Sequence, residues 1–169
     1  GHTSYVHGVA VTPDGRTIVS GSSDSTVKVW RLATGELLRT LRGHTSWVTS
    51  VAVTEDGQTI VSGGGDCAVK IWRLSDGVLL RTLNAATAGE INPMDAIEHL
   101  AVTSDGKTIV AGRGHGRINV WRLATGELVR TLIGHTEAVS SVAIASDNQT
   151  IISGSFDWTV KVWQLDVPV

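Results

Sequence analysis

Apolar residues alternate with small or polar residues along most of this chain, in short segments. Four such segments within the first copy of the pattern read VHGVAV, TIVSG, VKVWRL and LLRTL. A two-residue period puts successive side chains on opposite faces of a strand, whereas an amphipathic helix has a period of about 3.6 residues. The pattern therefore predicts short β-strands throughout the chain, and it predicts no helix.

Turn-forming residues separate the apolar segments at regular intervals. The recurring pairs are Asp14-Gly15, Asp56-Gly57, Asp105-Gly106 and, in altered form, Asp147-Asn148. Asp-Gly is a strong hairpin signal because both residues tolerate the positive φ angles that tight turns require. Neighbouring strands are therefore expected to run antiparallel.

The whole pattern occurs four times. One tryptophan closes the third predicted strand of each copy, at positions Trp30, Trp72, Trp121 and Trp163. The spacings of 42, 49 and 42 residues indicate a 42-residue repeat with seven extra residues in the middle interval. The copies are assigned to residues 1–42, 43–84, 92–133 and 134–169, with an insertion at 85–96. Four-stranded units at this spacing are typical of β-propeller blades, so we expect an all-β protein of four antiparallel blades.

Three copies share a second set of residues, one each of histidine, serine, aspartate and tryptophan. The three quartets are His2, Ser20, Asp24 and Trp30; His44, Ser62, Asp66 and Trp72; and His135, Ser153, Asp157 and Trp163. With Gly-His at the start of the repeat and SGS or SGG before the aspartate, the chain resembles the WD-repeat β-propeller family along essentially its whole length. The resemblance implies a structural hydrogen-bonded chain that runs from aspartate through histidine and serine to the indole N–H.

Ser, His and Asp also form the catalytic triad of many hydrolases. The trio occurs three times here, each time with a tryptophan, and the sequence has no Gly-x-Ser-x-Gly motif. A structural role therefore explains the pattern better than catalysis. The third copy has Ala111 in place of serine, His115 in place of aspartate and Pro93 in place of histidine. Their joint loss indicates one coupled network, because a half-satisfied buried network is costly.

The family resemblance also implies where partners bind. The loop before the first strand of each blade and the turn between its second and third strands open on one face, here called the top face. Family positions used in recognition carry Tyr5, His7, Trp47, Phe156 and Trp158 in this sequence. Exposed aromatic residues are typical interface anchors, although packing against neighbouring loops would also explain them. The insertion is expected on the same face, either as a recognition loop or as a tolerated surface insertion.

Composition narrows the classes of partner. Fourteen basic and sixteen acidic residues give a formal net charge of −2, which argues against a nucleic-acid or anionic-membrane surface. Cys67 is the only cysteine, so an intrachain disulfide is impossible and a cytoplasmic location is favoured. His7, His99 and His115 form no metal-ligand spacing, and no phosphate-binding glycine motif is present. The sequence therefore predicts no metal and no cofactor.

Four blades raise a problem of closure. Rings of the family usually contain about seven or eight blades, and an arc of four would expose an apolar face at each end. We therefore expect a second copy to complete an eight-bladed ring as a homodimer. No LLRTL-like segment follows Trp163, so the last blade is expected to have three strands. The expected function is a non-catalytic scaffold for protein or peptide partners; a carbohydrate or small-ligand propeller and a structural repeat segment of a larger protein are the alternatives.

Overall fold

The structure of the protein is a computed structural model that describes residues 1–84 and 95–165. Fifteen strands lie in these two ranges. They are β1 Val6–Val11, β2 Thr17–Ser22, β3 Thr26–Arg31, β4 Leu37–Arg42, β5 Val48–Val53, β6 Thr59–Gly64, β7 Ala68–Arg73, β8 Leu79–Asn84, β9 Ile97–Val102, β10 Thr108–Arg113, β11 Arg117–Arg122, β12 Leu128–Ile133, β13 Val139–Ile144, β14 Thr150–Ser155 and β15 Val160–Gln164.

The strands form four antiparallel sheets, and each sheet comes from one copy of the repeat. Blade one is β1–β4, blade two β5–β8 and blade three β9–β12, whereas blade four contains the three strands β13–β15 in the described part of the chain. Within each sheet the strands pair in chain order. The prediction of an all-β fold with four blades, the last three-stranded, is confirmed.

The turn between the first two strands of a blade shows why Asp-Gly recurs. Gly15 has a φ angle of 66°, in the left-handed region that glycine adopts without strain. Asp14 Oδ1 accepts hydrogen bonds from Thr12 Oγ1 at 2.6 Å and from the Arg16 N–H at 3.0 Å, which fixes the turn. Asn148, the one replacement of this glycine, has a φ angle of 56°. Asparagine is among the few other residues that tolerate this conformation.

The hydrophobic core lies between blades. Each of three apolar clusters combines the middle and outer strands of one blade with the inner and middle strands of the next. The cluster between blades one and two contains Val19, Val27, Val29, Leu41, Val48, Val51, Ile60 and Trp72. Full burial of a side chain such as Trp72 stabilises a fold by about 2–3 kcal/mol. Each such interface between successive blades is called a joint below.

Three glycines in the second strands allow the joints to close tightly. A β-carbon on Gly21 would lie 2.6 Å from a methyl group of Val48, and one on Gly63 would lie 2.5 Å from a methyl group of Ile97. The same contact recurs with Gly112, 2.6 Å from a Val139 methyl group. Each joint therefore seats a branched apolar side chain of the next blade directly over a glycine.

Polar contacts cross the joints at a fixed position of the inner strand. Ser50 Oγ in blade two accepts a hydrogen bond from the Leu100 N–H of blade three at 3.1 Å. At the next joint His99 Nδ1 accepts from the Val142 N–H at 3.4 Å. Burial lowers the pKa of His99, in keeping with a neutral ring that acts as an acceptor. The same position of the inner strand therefore accepts a hydrogen bond at both joints, although the side chain is serine in one blade and histidine in the other.

Candidate functional site

The histidine, serine, aspartate and tryptophan of each quartet lie in hydrogen-bonding contact. In blade two, His44 Nδ1 lies 2.9 Å from Asp66 Oδ2, and His44 Nε2 lies 2.8 Å from Ser62 Oγ. The indole N–H of Trp72 donates to Ser62 Oγ at 2.8 Å. The corresponding distances in blade one and blade four, among His2, Ser20, Asp24 and Trp30 and among His135, Ser153, Asp157 and Trp163, are between 2.7 and 2.8 Å.

A neutral histidine satisfies every member of the chain. The indole N–H donates to the serine oxygen, the serine O–H donates to histidine Nε2, and the histidine Nδ1–H donates to the carboxylate. The serines Ser20, Ser62 and Ser153 are buried within their strands. Each serine is buried and already accepts an indole N–H, so a substrate could not reach it as a nucleophile. The quartet is therefore a structural hydrogen-bonded chain and not a hydrolase triad. Each such chain of histidine, serine, aspartate and tryptophan is called a latch below.

The aspartate ties three parts of each blade together. Asp66 accepts hydrogen bonds from His44, from the Thr45 N–H at 3.1 Å and from the Ala68 N–H at 3.3 Å. Burial by itself would raise the pKa of Asp66, but these hydrogen bonds and the nearby His44 outweigh burial and lower it. The pKa values of Asp24 and Asp157 also lie well below the usual range. Burial again raises them, but hydrogen bonds outweigh it, and Thr26 and Thr159 are additional donors.

Acid should therefore weaken the fold. An aspartate whose pKa is lowered by folding stabilises the native state above its unfolded pKa, and that stabilisation is lost as the pH falls towards the folded pKa. The ordinary value is 3.8, so we expect a nearly constant melting temperature from pH 7 to about pH 5 and a steep fall below about pH 4. Thermal unfolding of the wild type and of Asp66→Asn at each pH tests this. The variant should show a shallower acid slope, and equal slopes would contradict the assignment.

Blade three has a different polar contact at the same edge. Arg113 Nη2 lies 2.9 Å from Asp95 Oδ1, and His115 Nε2 lies 3.5 Å from the same oxygen. Here the carboxylate comes from the segment before the first strand, and the arginine and histidine side chains come from β10 and from the turn that follows it. This is the reverse of the other three blades. Pro93, expected at the histidine position, lies outside the described residues.

Arg113 is the most buried charge of this contact, with its side chain only 4% exposed. Burial lowers the pKa of Arg113, while the adjacent Asp95 carboxylate opposes that shift. Trp121 remains in the core although Ala111 stands where the other blades have a serine acceptor. The sequence of this blade lacks the quartet residues, but the sequence did not indicate the ion pair between Arg113 and Asp95.

Backbone hydrogen bonds join the first loop and the later turn in every blade. The Ser23 N–H donates to the Tyr5 carbonyl oxygen at 2.8 Å, and Gly65 N–H donates to the Trp47 oxygen at 2.9 Å. Gly114 and Phe156 donate in the same way to Ala96 and Ala138. The predicted recognition positions therefore lie along the same end of their blades. This end is the top face.

The predicted aromatic residues project from this edge. Tyr5 is 81% exposed and Trp158 is 97% exposed, while Trp47 and Phe156 are each more than half exposed. His7 is exposed as well, and its Nε2 lies 2.6 Å from Ser23 Oγ. Phe156 and Trp158 line a recess of about 360 Å³ together with Thr136, Glu137 and Asp157. Trp47 also packs on a neighbouring turn, because a β-carbon on Gly65 would collide with its indole nitrogen.

The remaining candidate chemistry is sparse. No three His, Cys, Asp or Glu side chains of the described ranges come together in a metal-binding arrangement. Cys67 is buried, and burial followed by the Asp95 carboxylate raises the pKa of its thiol. Among residues 1–84 and 95–165 there is also no helix with the length and apolar character that a membrane span requires. Most of the insertion, residues 85–94, lies outside the described residues.

The fold and the quartets define a propeller built from blades that are fastened by a buried polar latch. A family model described as "WD domain, G-beta repeat" matches residues 1–31, 35–73 and 126–164. The chain belongs to the WD-repeat family, as the sequence predicted. The inner and middle strands of blade three, which lacks the quartet, fall outside the matched segments.

Among solved structures, this chain is similar to a designed protein over nearly its full length. It has a TM-score of 0.82 and 35% sequence identity to the computationally designed Ika4 protein, covering 98% of this chain and 94% of that one. Two curated relatives match over about the length of one repeat. The ribosome biogenesis protein BOP1 homologs of Drosophila grimshawi and Drosophila melanogaster are 56% and 54% identical over 41 residues. That match spans 24% of this chain and only 5% of either relative.

Proposed function

We propose that this chain is a non-catalytic scaffold that binds protein or peptide partners on its top face. The observation that carries the proposal is the exposure of Tyr5, Trp47, Phe156 and Trp158 along one end of the blades. Exposed aromatic side chains on rigid loops lose little conformational entropy on binding and bury a large area, so they are frequent anchors of interfaces. Membership of the WD-repeat family supports the same function.

Trp47 offers the clearest test because it lies in blade two, away from both ends of the arc. The purified chain would be applied to a tiled peptide array and to a glycan array. We expect peptide hits that Trp47→Ala weakens about tenfold or more, whereas Leu80→Ala on the outer strand β8 leaves them unchanged. Glycan hits lost in Trp47→Ala would favour a carbohydrate-binding propeller. Binding that is insensitive to Trp47 would contradict the proposed surface.

We also propose that the chain associates with a second copy of itself and that two copies close an eight-bladed ring. The end blades support this, because apolar side chains of β1 and β15 are exposed while their counterparts in the inner blades are buried. The chain mass is 17.8 kDa, so light scattering at micromolar concentration should give twice that value. A stable monomer would contradict the proposal, and a larger open assembly would contradict closure by two copies.

A cytoplasmic location is proposed for the same protein. Its support is the single cysteine, Cys67, which is buried in the second blade and has no second cysteine with which to form an intrachain disulfide. Proteins stabilised by disulfides are typical of oxidising compartments, whereas thiols persist in the reducing cytosol. Fractionation of cells that express the tagged chain tests this location.

A further inference from the structure

Gly154 is the fourth member of the glycine series that seats the next blade. The other three members each hold a branched side chain of the following blade so closely that a β-carbon would lie 2.5–2.6 Å from its methyl group. A β-carbon on Gly154 would meet nothing within 4 Å. The seated residues Val48, Ile97 and Val139 are buried, whereas their counterpart in blade one, Val6, is exposed. One end of the chain therefore has an empty seat, and the other end has the side chain that fits it.

The apolar residues around this seat repeat the same complementarity. Val9 on β1 is 68% exposed, although its counterparts Val51, Leu100 and Val142 are buried in the three joints. At the other end Val160 is 72% exposed, and Val162 is exposed too. Their counterparts in blade one, Val27 and Val29, are buried against blade two. Each end thus carries one half of an apolar layer that the inner joints show complete.

The polar positions match in the same register. At the inner joints, Ser50 and His99 each accept a hydrogen bond from an N–H of the next inner strand. The counterpart of these acceptors in blade four is Ser141, which is exposed at the open face. The counterpart of the donating N–H is that of Val9. If a second copy packs on blade four as successive blades pack within one chain, its Val9 N–H would meet Ser141 of the first copy. The same placement would bring the exposed apolar side chains together.

Trp158 occupies a position that faces the next blade. In blade three this position is Gly116, where a β-carbon would lie only 2.5 Å from the His135 carbonyl oxygen of blade four. Ser25 and Cys67 occupy it in blades one and two, so a side chain is accommodated at two joints. All four residues have φ angles between 59° and 72°, a conformation that is uncommon for a residue as bulky as tryptophan. An almost fully exposed tryptophan thus projects towards the missing neighbour.

We propose that two copies join head to tail, with Val6 of one copy seated over Gly154 of the other. Trp158 then lies over the segment that precedes β1 of the second copy and anchors the joint. This inference rests on the self-association proposed above and specifies its contacts. It assigns Trp158 to the second copy, and it leaves Tyr5, His7, Trp47 and Phe156 for other partners.

The seat can be filled without disturbing the single chain. Gly154→Val adds side-chain atoms where the chain has open space, yet in the proposed joint they would collide with Val6 of the second copy. We expect the variant to melt at the wild-type temperature when dilute and to dimerise at least about a hundredfold more weakly by sedimentation. Gly112→Val is the matched control, because the same collision occurs there inside one chain and should lower the melting temperature instead.

Two further variants keep the test decisive. Val6→Asp places a charge on the seated side chain and should also abolish dimerisation. The proposal is therefore still tested if Gly154→Val fails to fold. Trp158→Ala should weaken the dimer about tenfold, whereas Trp47→Ala should leave it unchanged. A dimer that tolerates Gly154→Val and Val6→Asp would overturn this joint while self-association stands. A wild-type monomer would overturn both, and neither result depends on top-face binding.

Discussion

Replacing Asp95 with alanine should lower the free energy of unfolding by about 3 kcal/mol, because the substitution strands the buried Arg113 without its carboxylate. Arg113 Nη2 lies 2.9 Å from Asp95, and the arginine side chain is almost fully buried. Removal of one partner of a buried ion pair leaves a charge that is neither solvated nor neutralised. Denaturant unfolding monitored by tryptophan fluorescence measures the change.

The pair also predicts a rescue. Arg113→Met in the Asp95→Ala background removes the stranded charge and keeps an apolar side chain of similar length, so the double variant should regain most of the lost stability. Glu127→Ala is a suitable control because it removes a carboxylate of the same blade whose cationic partner, Arg122, is exposed. An Asp95→Ala variant as stable as the wild type would show that the contact carries no energy.

The sequence predicted most of the fold because the repeat supplies the same information several times. Alternation of apolar residues fixes the faces of a strand, and the Asp-Gly pairs fix the hairpins, so four copies of one pattern specify four similar sheets. The quartets of blades one, two and four were predictable for the same reason. Their residues keep constant spacings from the tryptophan, and the structure brings the four side chains of each quartet into hydrogen-bonding contact with one another.

The ion pair of blade three could not be predicted in the same way. Asp95 lies in the insertion, where the spacing of the repeat is broken and no other copy gives a counterpart with the same chemistry. One signal was present: Arg113 stands at a strand position that the other copies fill with Ser22, Gly64 and Ser155. A charge in place of small residues at an inner position requires a partner, because an unpaired buried charge is costly. The identity of that partner depends on the path of the chain.

The open ends of the arc show a further limit of local pattern. The sequences of β1 and β13 resemble each other closely, yet Val9 is exposed while Val142 is buried. The difference comes only from the presence or absence of a preceding blade. The repeat sequence therefore predicts which side chains pack against an adjacent blade when one is present. Only the structure shows which of them have no adjacent blade in the same chain.

Replacing Asp66 with alanine should lower the free energy of unfolding of the chain by about 1–3 kcal/mol, because it breaks the latch of blade two. Asp66 accepts from the side chain of His44 and from two backbone N–H groups, and the His44 side chain is almost wholly buried. Without the carboxylate, these donors lose their acceptor. Asp76→Ala is the matched control in the same blade, because Asp76 pairs with Arg73 at the surface and exposed ion pairs contribute less than about 1 kcal/mol.

A double-mutant cycle distinguishes a coupled latch from two independent contacts. If His44 and Asp66 act as one unit, His44→Ala with Asp66→Ala should cost less than the sum of the two single variants, by about 1 kcal/mol or more. The reason is that either single change already breaks the chain from the indole of Trp72 to the turn. Strict additivity would contradict the latch. The coupling would also explain blade three, since a chain that works only as a whole leaves little to retain once one member is replaced.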